Sequence, residues 1–307
     1  MVKVSIVILN WNREKDTIEC LESIEKLDTK SLKVNVIVVD NGSKKATVKA
    51  IKDYMGKGKF PTTLFVMSKN LGFTGGNNFG INKAMKSRSK YVMVLNNDTL
   101  VDKNLLQGFI KTAEKYKKAG IMSPKIYFAK GFEFHKDRYK KSDLGKVIWY
   151  AGGDIDWDNV YGSNHGVDEV DKGQFDKESD TDFATGACSF IRTKAIREVG
   201  LYSDKYYMYM EDDDLSMRMK DAGWRVMYAP KGYLWHKVAQ STKIGSNQND
   251  YFLTRNRLMF GLKYASFRAK LALVRESIKL VISGRDWQKK GVKDYYGRKF
   301  GKGSWNE

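Results

Sequence analysis

A doubly wound, mainly parallel α/β sheet with a basic helical C-terminal extension is the architecture this sequence predicts. Three observations predict it. Short apolar runs rich in β-branched residues alternate with segments of helical spacing from residue 4 to about 117, the signature of βαβ units. Three of those runs stop abruptly at loops rich in Asn and Asp, as strands do at the ligand-binding edge of an open sheet. From Tyr251 onward the spacing is helical and the charge is basic.

Taken in order, Val4–Leu9 is a buried strand ending at Asn10-Trp11-Asn12. Asp16–Leu27 follows with apolar residues at Ile18, Leu21, Ile24 and Leu27, one face of a helix. Val34–Val39 is a second strand, closed by Asp40-Asn41-Gly42-Ser43, and a lysine-rich helical stretch leads to a short strand at Thr63–Met67. Residues 70–78, NLGFTGGNN, read as a polar glycine-rich turn entering a helix near Phe79–Lys86. Tyr91–Leu95 is the next strand, and it stops at Asn96, Asn97 and Asp98.

The second half is less periodic. Tyr127–Lys146 reads as a long charged excursion, and Trp149–Gly153 with Asp154–Trp157 as a hairpin. Asp182–Arg192 is a strand region in which Gly186 permits close backbone approach. Ala195–Gly200 is a short helix. A helix from about Asp213 or Asp214 to Ala222 follows the acids 211–214, then a strand at Arg225–Tyr228, a Pro-Lys-Gly turn and Leu234-Trp235-His236. The expected division is a domain over 1–240, split at 124/125 into a nucleotide-binding half and an acceptor half, and an extension over 241–307.

The chain of 307 residues carries a formal charge of +19, which favours anionic partners: nucleotides, nucleic acid or an anionic membrane surface. Cys20 and Cys188 have neither metal-ligand nor disulfide-framework spacing, which fits a cytoplasmic location. The apolar run at the N-terminus is a first strand, too short for a signal peptide or a membrane span.

A carboxylate beside two amides at a strand end, as at Asn96–Asp98, can hold a divalent cation and a phosphate-bearing ligand. Four consecutive acids, Glu211 to Asp214, raise one another's pKa when buried. One or two of them cap the helix; Glu211 and Asp212, preceded by aromatics, are left as candidates for a general base. His236, one of three histidines, follows an element that can return to the same sheet edge and complete a cation site. The glycine stretch lacks G-x-G-x-x-G, and the chain lacks a P-loop and a G-x-S-x-G elbow; NAD enzymes, P-loop NTPases and serine hydrolases are disfavoured. A nucleic-acid binder accounts for the charge, but there is no RNA-binding aromatic motif and the acids at 211–214 repel phosphates.

The blocks VSIVILNWN, VVDNGS, NLGFTGGNNFGI, VLNNDT, TGACSFIR and YMYMEDDDLSMRMKDAGW, in this order, resemble family 2 glycosyltransferases, nearest the rhamnosyltransferase-like branch. The resemblance covers roughly residues 3–240. It implies a GT-A fold and inverting transfer from a nucleoside-diphosphate sugar (dTDP-rhamnose or a UDP-sugar) to a glycan or lipid-linked acceptor in cell-surface polysaccharide synthesis. By position it implies that Asn10, Trp11, Asn12 and Asp40 hold base and ribose, and that Asn70, Gly72 and Asn78 line the nucleotide–sugar pocket. Asn97 and Asp98 match the D-x-D-like element, with Asp98 a ligand of Mg²⁺ or Mn²⁺. Asp212 matches the catalytic base, Glu211, Gly186 and Ala187 border the acceptor, and His236 in WHKVAQS matches a late metal ligand. Asn96 stands where the fuller element has an acid, which removes one charge from the cation site. A non-catalytic sugar-nucleotide or glycan-binding module would keep the loops without needing Asp212.

Residues 258–283 interleave Leu, Ile, Val and Phe with Lys263, Arg268, Lys270, Arg275 and Lys279. Such a helix suits the inner face of an anionic cell membrane, where peripheral attachment is one expectation; packing on the domain or on a second subunit is the other.

Overall fold

The computed structural model describes residues 1–55, 58–238 and 245–306. The elements run β1 (Val2–Asn10), α1 (Glu14–Ile24), β2 (Leu32–Asp40), α2 (Lys45–Tyr54), β3 (Thr62–Val66), α3 (Gly72–Lys86), β4 (Tyr91–Asn96), β5 (Thr99–Val101), α4 (Leu105–Lys115) and β6 (Ala119–Phe128). Then come β7 (Ile148–Tyr150), β8 (Gly153–Asp156), β9 (Tyr161–Asn164), β10 (Ser179–Asp180), β11 (Cys188–Arg192), α5 (Thr193–Val199), α6 (Glu211–Asp221), β12 (Arg225–His236), α7 (Asn247–Tyr264), α8 (Phe267–Ser283) and α9 (Asp286–Tyr296). The expected boundary at 240/241 lies outside the described residues, as does the end of WHKVAQS.

The main sheet has the order β10-β12-β6-β11-β4-β1-β2-β3, with β5 on β12 and β7 on β6. Strands β1, β2, β3, β4, β6 and β12 run one way, and β5, β7, β10 and β11 run against them, so the sheet is mainly parallel as expected. Because side chains alternate across a strand, β1 sends Val4, Ile6 and Ile8 to one core and Val7 to the other. The first core is closed by Cys20, Leu21 and Ile24 of α1 and Phe109 of α4, the second by Ile81 of α3 and Leu215 and Met219 of α6. Strands covered on both faces need near-continuous apolar sequence, which is why they were legible.

Strand order reverses at β1, which pairs with β2 on one side and β4 on the other. The crevice beyond their C-terminal ends is the ligand position in sheets of this kind. Asn10–Asn12 and Asn96–Asp98 leave the sheet there.

Several local expectations are corrected. The stretch 70–78 is not a turn: α3 begins at Gly72 and includes the glycines. A Cβ on Gly76 would lie 2.3 Å from Leu9 Cδ1 and one on Gly80 2.3 Å from Val7 Cγ1, so these glycines let a helix lie close on β1. The excursion from Tyr127 begins inside a ten-residue strand, β6. The hairpin at 149–157 does not form: β7 pairs with β6, and β8 pairs with β9. The Pro-Lys-Gly segment is not a turn but an irregularity within one strand, β12. Gly232 is required there, since a Cβ would meet Leu105 Cα at 2.6 Å.

Candidate functional site

Trp11, Asn70, Gly72, Asn97 and Asp98 border one cleft at the strand-order reversal, together with Asn41, Phe73, Tyr207 and Met208. Beside it a buried polar network sets the loop geometry. Asn10 and Asp40 are fully buried; Asn10 Nδ2 donates to Asp40 Oδ2 at 2.7 Å, and Ser43 N donates to Asp40 Oδ1 at 2.9 Å. Thr17 Oγ1 donates to Asn10 Oδ1 at 2.8 Å and receives Asn97 Nδ2 at 2.9 Å, which ties the network to the cleft. Asn12, left-handed at φ 53°, bridges the loops after β1 and β2 through its bonds with Ser43 and Lys44. Asn78 is elsewhere: its amide clips Tyr202 and Asp204. Thus Asn10, Asn12, Asp40 and Asn78 are not on the cleft wall, whereas the other donor-side candidates are.

Asn41 was not singled out from the sequence. It is buried and donates to Asn70 Oδ1 at 2.8 Å and Gly72 O at 3.0 Å, while accepting from Leu71 N. Its place in Asp-Asn-Gly after an apolar strand was the available signal. Gly72 is left-handed at φ 75°, and a Cβ there would meet Tyr207 O at 2.6 Å. Thr74 N donates to the same carbonyl at 3.1 Å, so the start of α3 is fastened to the segment before the acids.

Strand pairing brings Asp98 and His236 together. His236 of β12 stands opposite Thr99 of β5, and His236 Nε2 lies 3.2 Å from Asp98 Oδ1. The imidazole packs edge-on against Trp149 at 4.8 Å between centroids. Both residues are buried; apart from this ion-pair contact Asp98 Oδ1 has no hydrogen-bond partner, and His236 Nδ1 has none, which leaves both able to take a further ligand. Among the described residues no group of three His, Cys, Asp or Glu gathers as a metal cage. One carboxylate and one imidazole fit a hard cation that takes its remaining ligands from phosphate oxygens and water.

Helix α6 starts at Glu211, earlier than expected, behind a segment in which Tyr207, Tyr209 and Met210 all have positive φ of 65–68°. Non-glycine residues enter that region at a cost, so the surroundings must enforce it. Asn256 of α7 does so: its Nδ2 faces Tyr206 O, Met208 O and Tyr209 O at 2.7–3.0 Å. Arg255, fully buried, donates to Tyr206 O at 2.9 Å and Gly301 O at 2.7 Å. Neither residue was anticipated, although an arginine four residues after Tyr251 on an apolar helical face was a signal.

The four acids then separate. Asp212, half-buried, accepts from Gly186 N at 2.7 Å and from Asp213 N at 3.0 Å. Burial raises its pKa above the ordinary carboxylate value, against the lowering effect of the Gly186 and Asp213 amides. Burial, and then Asp212, hold Glu211 well above its usual range. Burial, then Asp212 and Asp214, do the same for Asp213. Asp214 is opposite in sense: burial would raise it, but Lys263 and Arg218 bring it below normal. It accepts from Lys263 Nζ at 2.8 Å, Arg218 Nε at 2.7 Å and Tyr264 Oη at 2.9 Å. Asp212 does not itself border the cleft, but a Cβ on Gly186 would come within 3.4 Å of Asp212 Oδ2 and 3.3 Å of Phe73, a cleft residue. Ala187 O accepts from Asn96 N at 3.0 Å, joining that loop to the end of β4.

A sequence model of the family described as Glycosyl transferase family 2 matches residues 5–200. The chain is 25% identical over 218 residues to the N-acetylglucosaminyl-diphospho-decaprenol L-rhamnosyltransferase of Mycobacterium tuberculosis, covering 68% of each protein. Among solved structures it is similar to GalNAc-T7 with UDP, GalNAc and Mn²⁺ (TM-score 0.66, 14% identity, 97% of this chain). It spans only 55% of that chain, about half its length. It is also similar to the mannosyltransferase PcManGT of Pyrobaculum calidifontis in complex with GDP-Man and Mn²⁺ (TM-score 0.55, 13% identity, 96% of this chain and 74% of that one). These likenesses establish the GT-A fold.

Proposed function

Since the chain belongs to glycosyl transferase family 2 and is a glycosyltransferase, we propose that it moves a sugar, with inversion, from a nucleoside-diphosphate sugar to a glycan or lipid-linked acceptor. The observation that carries this reading is the juxtaposition, through Phe73 and Gly186, of Asp212 with the cleft bordered by Asp98, whose carboxylate meets His236 behind it. The donor is taken up by the first half of the chain, residues 1–124, with its diphosphate toward Asp98. The acceptor enters from the side of residues 125–238. Asn10, Asn12 and Asp40 act by holding loop shape, and Trp11, Asn41, Asn70 and Asn97 meet the donor.

Asp212 takes the proton from an acceptor hydroxyl as that oxygen attacks the anomeric carbon opposite the diphosphate. The carbon–oxygen bond to the diphosphate breaks as the new glycosidic bond forms. A raised pKa makes Asp212 a stronger base than a solvated carboxylate, and general base catalysis contributes roughly 10²–10⁴-fold. The amides of Gly186 and Asp213 fix its orientation while leaving each oxygen a lone pair. Asp98 and His236 would hold Mg²⁺ or Mn²⁺, whose charge offsets that developing on the departing diphosphate. The names of the relatives support this reading: the M. tuberculosis protein is a rhamnosyltransferase named for a decaprenol-linked sugar, and Mn²⁺ accompanies both structural neighbours. Synthesis of a cell-surface polysaccharide on the cytoplasmic side of the membrane is the setting we propose.

The test is transfer from a panel of sugar nucleotides, with calorimetric titration of the same donors. Asp212→Asn keeps donor affinity within about threefold and lowers transfer by at least roughly 10²-fold. Transfer by the variant within tenfold of wild type would overturn the assignment of the base. Donor binding with no transfer by the wild type to any acceptor would favour a binding module.

A further inference from the structure

Helix α8 turns Ala269, Leu273 and Ser277 inward, where all three are buried. Its opposite face is apolar and uncovered: Phe267 is 77% exposed, Ile278 56% and Ile282 74%, and Leu271 and Val281 are exposed beside them. At about 100° per residue these five form one continuous stripe. The same geometry sets Arg268, Arg275 and Lys279 along one edge of the stripe and Lys270 along the other. The three on the first edge are exposed and enter no ion pair among the described residues. The helix's single acid, Glu276, lies away from the stripe and is paired with Arg257 at 2.6 Å.

We propose that this outward face of α8 docks on the surface of an anionic bilayer, with Phe267, Leu271, Ile278 and Ile282 in the headgroup–acyl boundary and the flanking cations at lipid phosphates. Charge selects this occupant. The face offers cations and no acid, so a second copy docking through the same face would bring only more cations to it, whereas anionic lipid supplies the complement. Among the described residues no helix is long and apolar enough to cross a membrane, so attachment through α8 is interfacial. The proposal stands apart from the transferase reading and adds to it the face that meets the membrane.

The experiment is flotation of the full chain with vesicles of phosphatidylcholine alone or mixed with phosphatidylglycerol. Removing the extension is no test, because α7 holds the segment before Asp212. The wild type floats with the mixed vesicles and not with phosphatidylcholine. R268Q/R275Q/K279Q weakens binding by roughly a hundredfold, as expected for three interfacial charges. F267S/I282S abolishes flotation at moderate salt, and both variants keep the wild-type circular dichroism and Tm. Wild type that stays unbound in the presence of mixed vesicles, or variants that float as it does, would overturn the proposal. So would a wild-type dimer, without flotation, that F267S/I282S dissociates, since that assigns the face to self-association. No arm needs a sugar donor, so failure here leaves the transferase assignment where it stood.

Discussion

Asp213 follows the proposed base by one residue, yet the helix turns it into a different environment. It is buried, with like charges on either side, and its pKa is pushed well up, chiefly by burial. Between the unfolded value near about 4 and this higher folded value, the native protein holds a proton that the unfolded chain lacks. Stability therefore falls as pH rises through that window. Asp213→Asn removes its share of the slope, with Glu211 and Asp212 still contributing: the variant melts a few degrees above wild type at neutral pH, with the difference shrinking toward pH ~4. Thermal unfolding across pH checks this, and a gain independent of pH would refute it. From the sequence, Glu211 to Asp214 divided into helix-capping acids and the base candidates Glu211 and Asp212; the structure gives each of the four its own surroundings. The reason is rotational, because consecutive helical residues point about 100° apart. One of the four meets the Gly186 amide, while another meets Lys263 and Tyr264 of α7. Asp98 and His236 were legible as polar groups after strands that could share one sheet edge and one cation; the β5–β12 pairing that brings them into contact was not, because short β5 gave no signal.

The segment 206–210 and helix α7 belong together as elements. Asn256 is fully buried with its amide against three main-chain carbonyls, and those carbonyls belong to a backbone held at positive φ. Asn256→Ala leaves buried acceptors short of a donor, at a cost of about 1–3 kcal/mol, measurable as a lower denaturant midpoint. Its effect on transfer should exceed that of Leu258→Ala, a core truncation on the same helix, at a temperature where both are folded. Equal activity losses would show that Asn256 contributes stability alone. Asp214→Asn, which strips Lys263, Arg218 and Tyr264 of a shared partner, should loosen the same junction by about 2–3 kcal/mol. Strands β1, β2 and β4 were legible because burial on both faces makes them largely apolar. The glycine-rich start of α3 was not, because glycine ordinarily signals a turn and here answers the closeness of Leu9 and Val7. Strand β6 was obscured in the same way by Pro124 and Lys125, a lysine buried among the carboxylates of Asp171 and Asp176.

In the whole molecule, the helical C-terminal region that the sequence predicted presents two different surfaces. Helix α7 packs inward through Tyr251, Phe252, Arg255, Asn256 and Phe260, while α8 keeps an apolar stripe outside. Helical spacing could identify both but could not say which face of each finds a partner, since that depends on residues far away in the chain. The clamp on residues 206–210 has a consequence for synthesis. A growing chain can complete β1 to β4 and lay down most of its sheet before Asn256 leaves the ribosome. Until then nothing supplies the donors that hold Tyr206, Met208 and Tyr209, and Asp214 lacks Lys263 and Tyr264. Because Tyr207 and Met208 border the cleft and Asp212 follows them in sequence, one wall of the cleft and the proposed base are both set late, and a chain that ends before α7 lacks the two together.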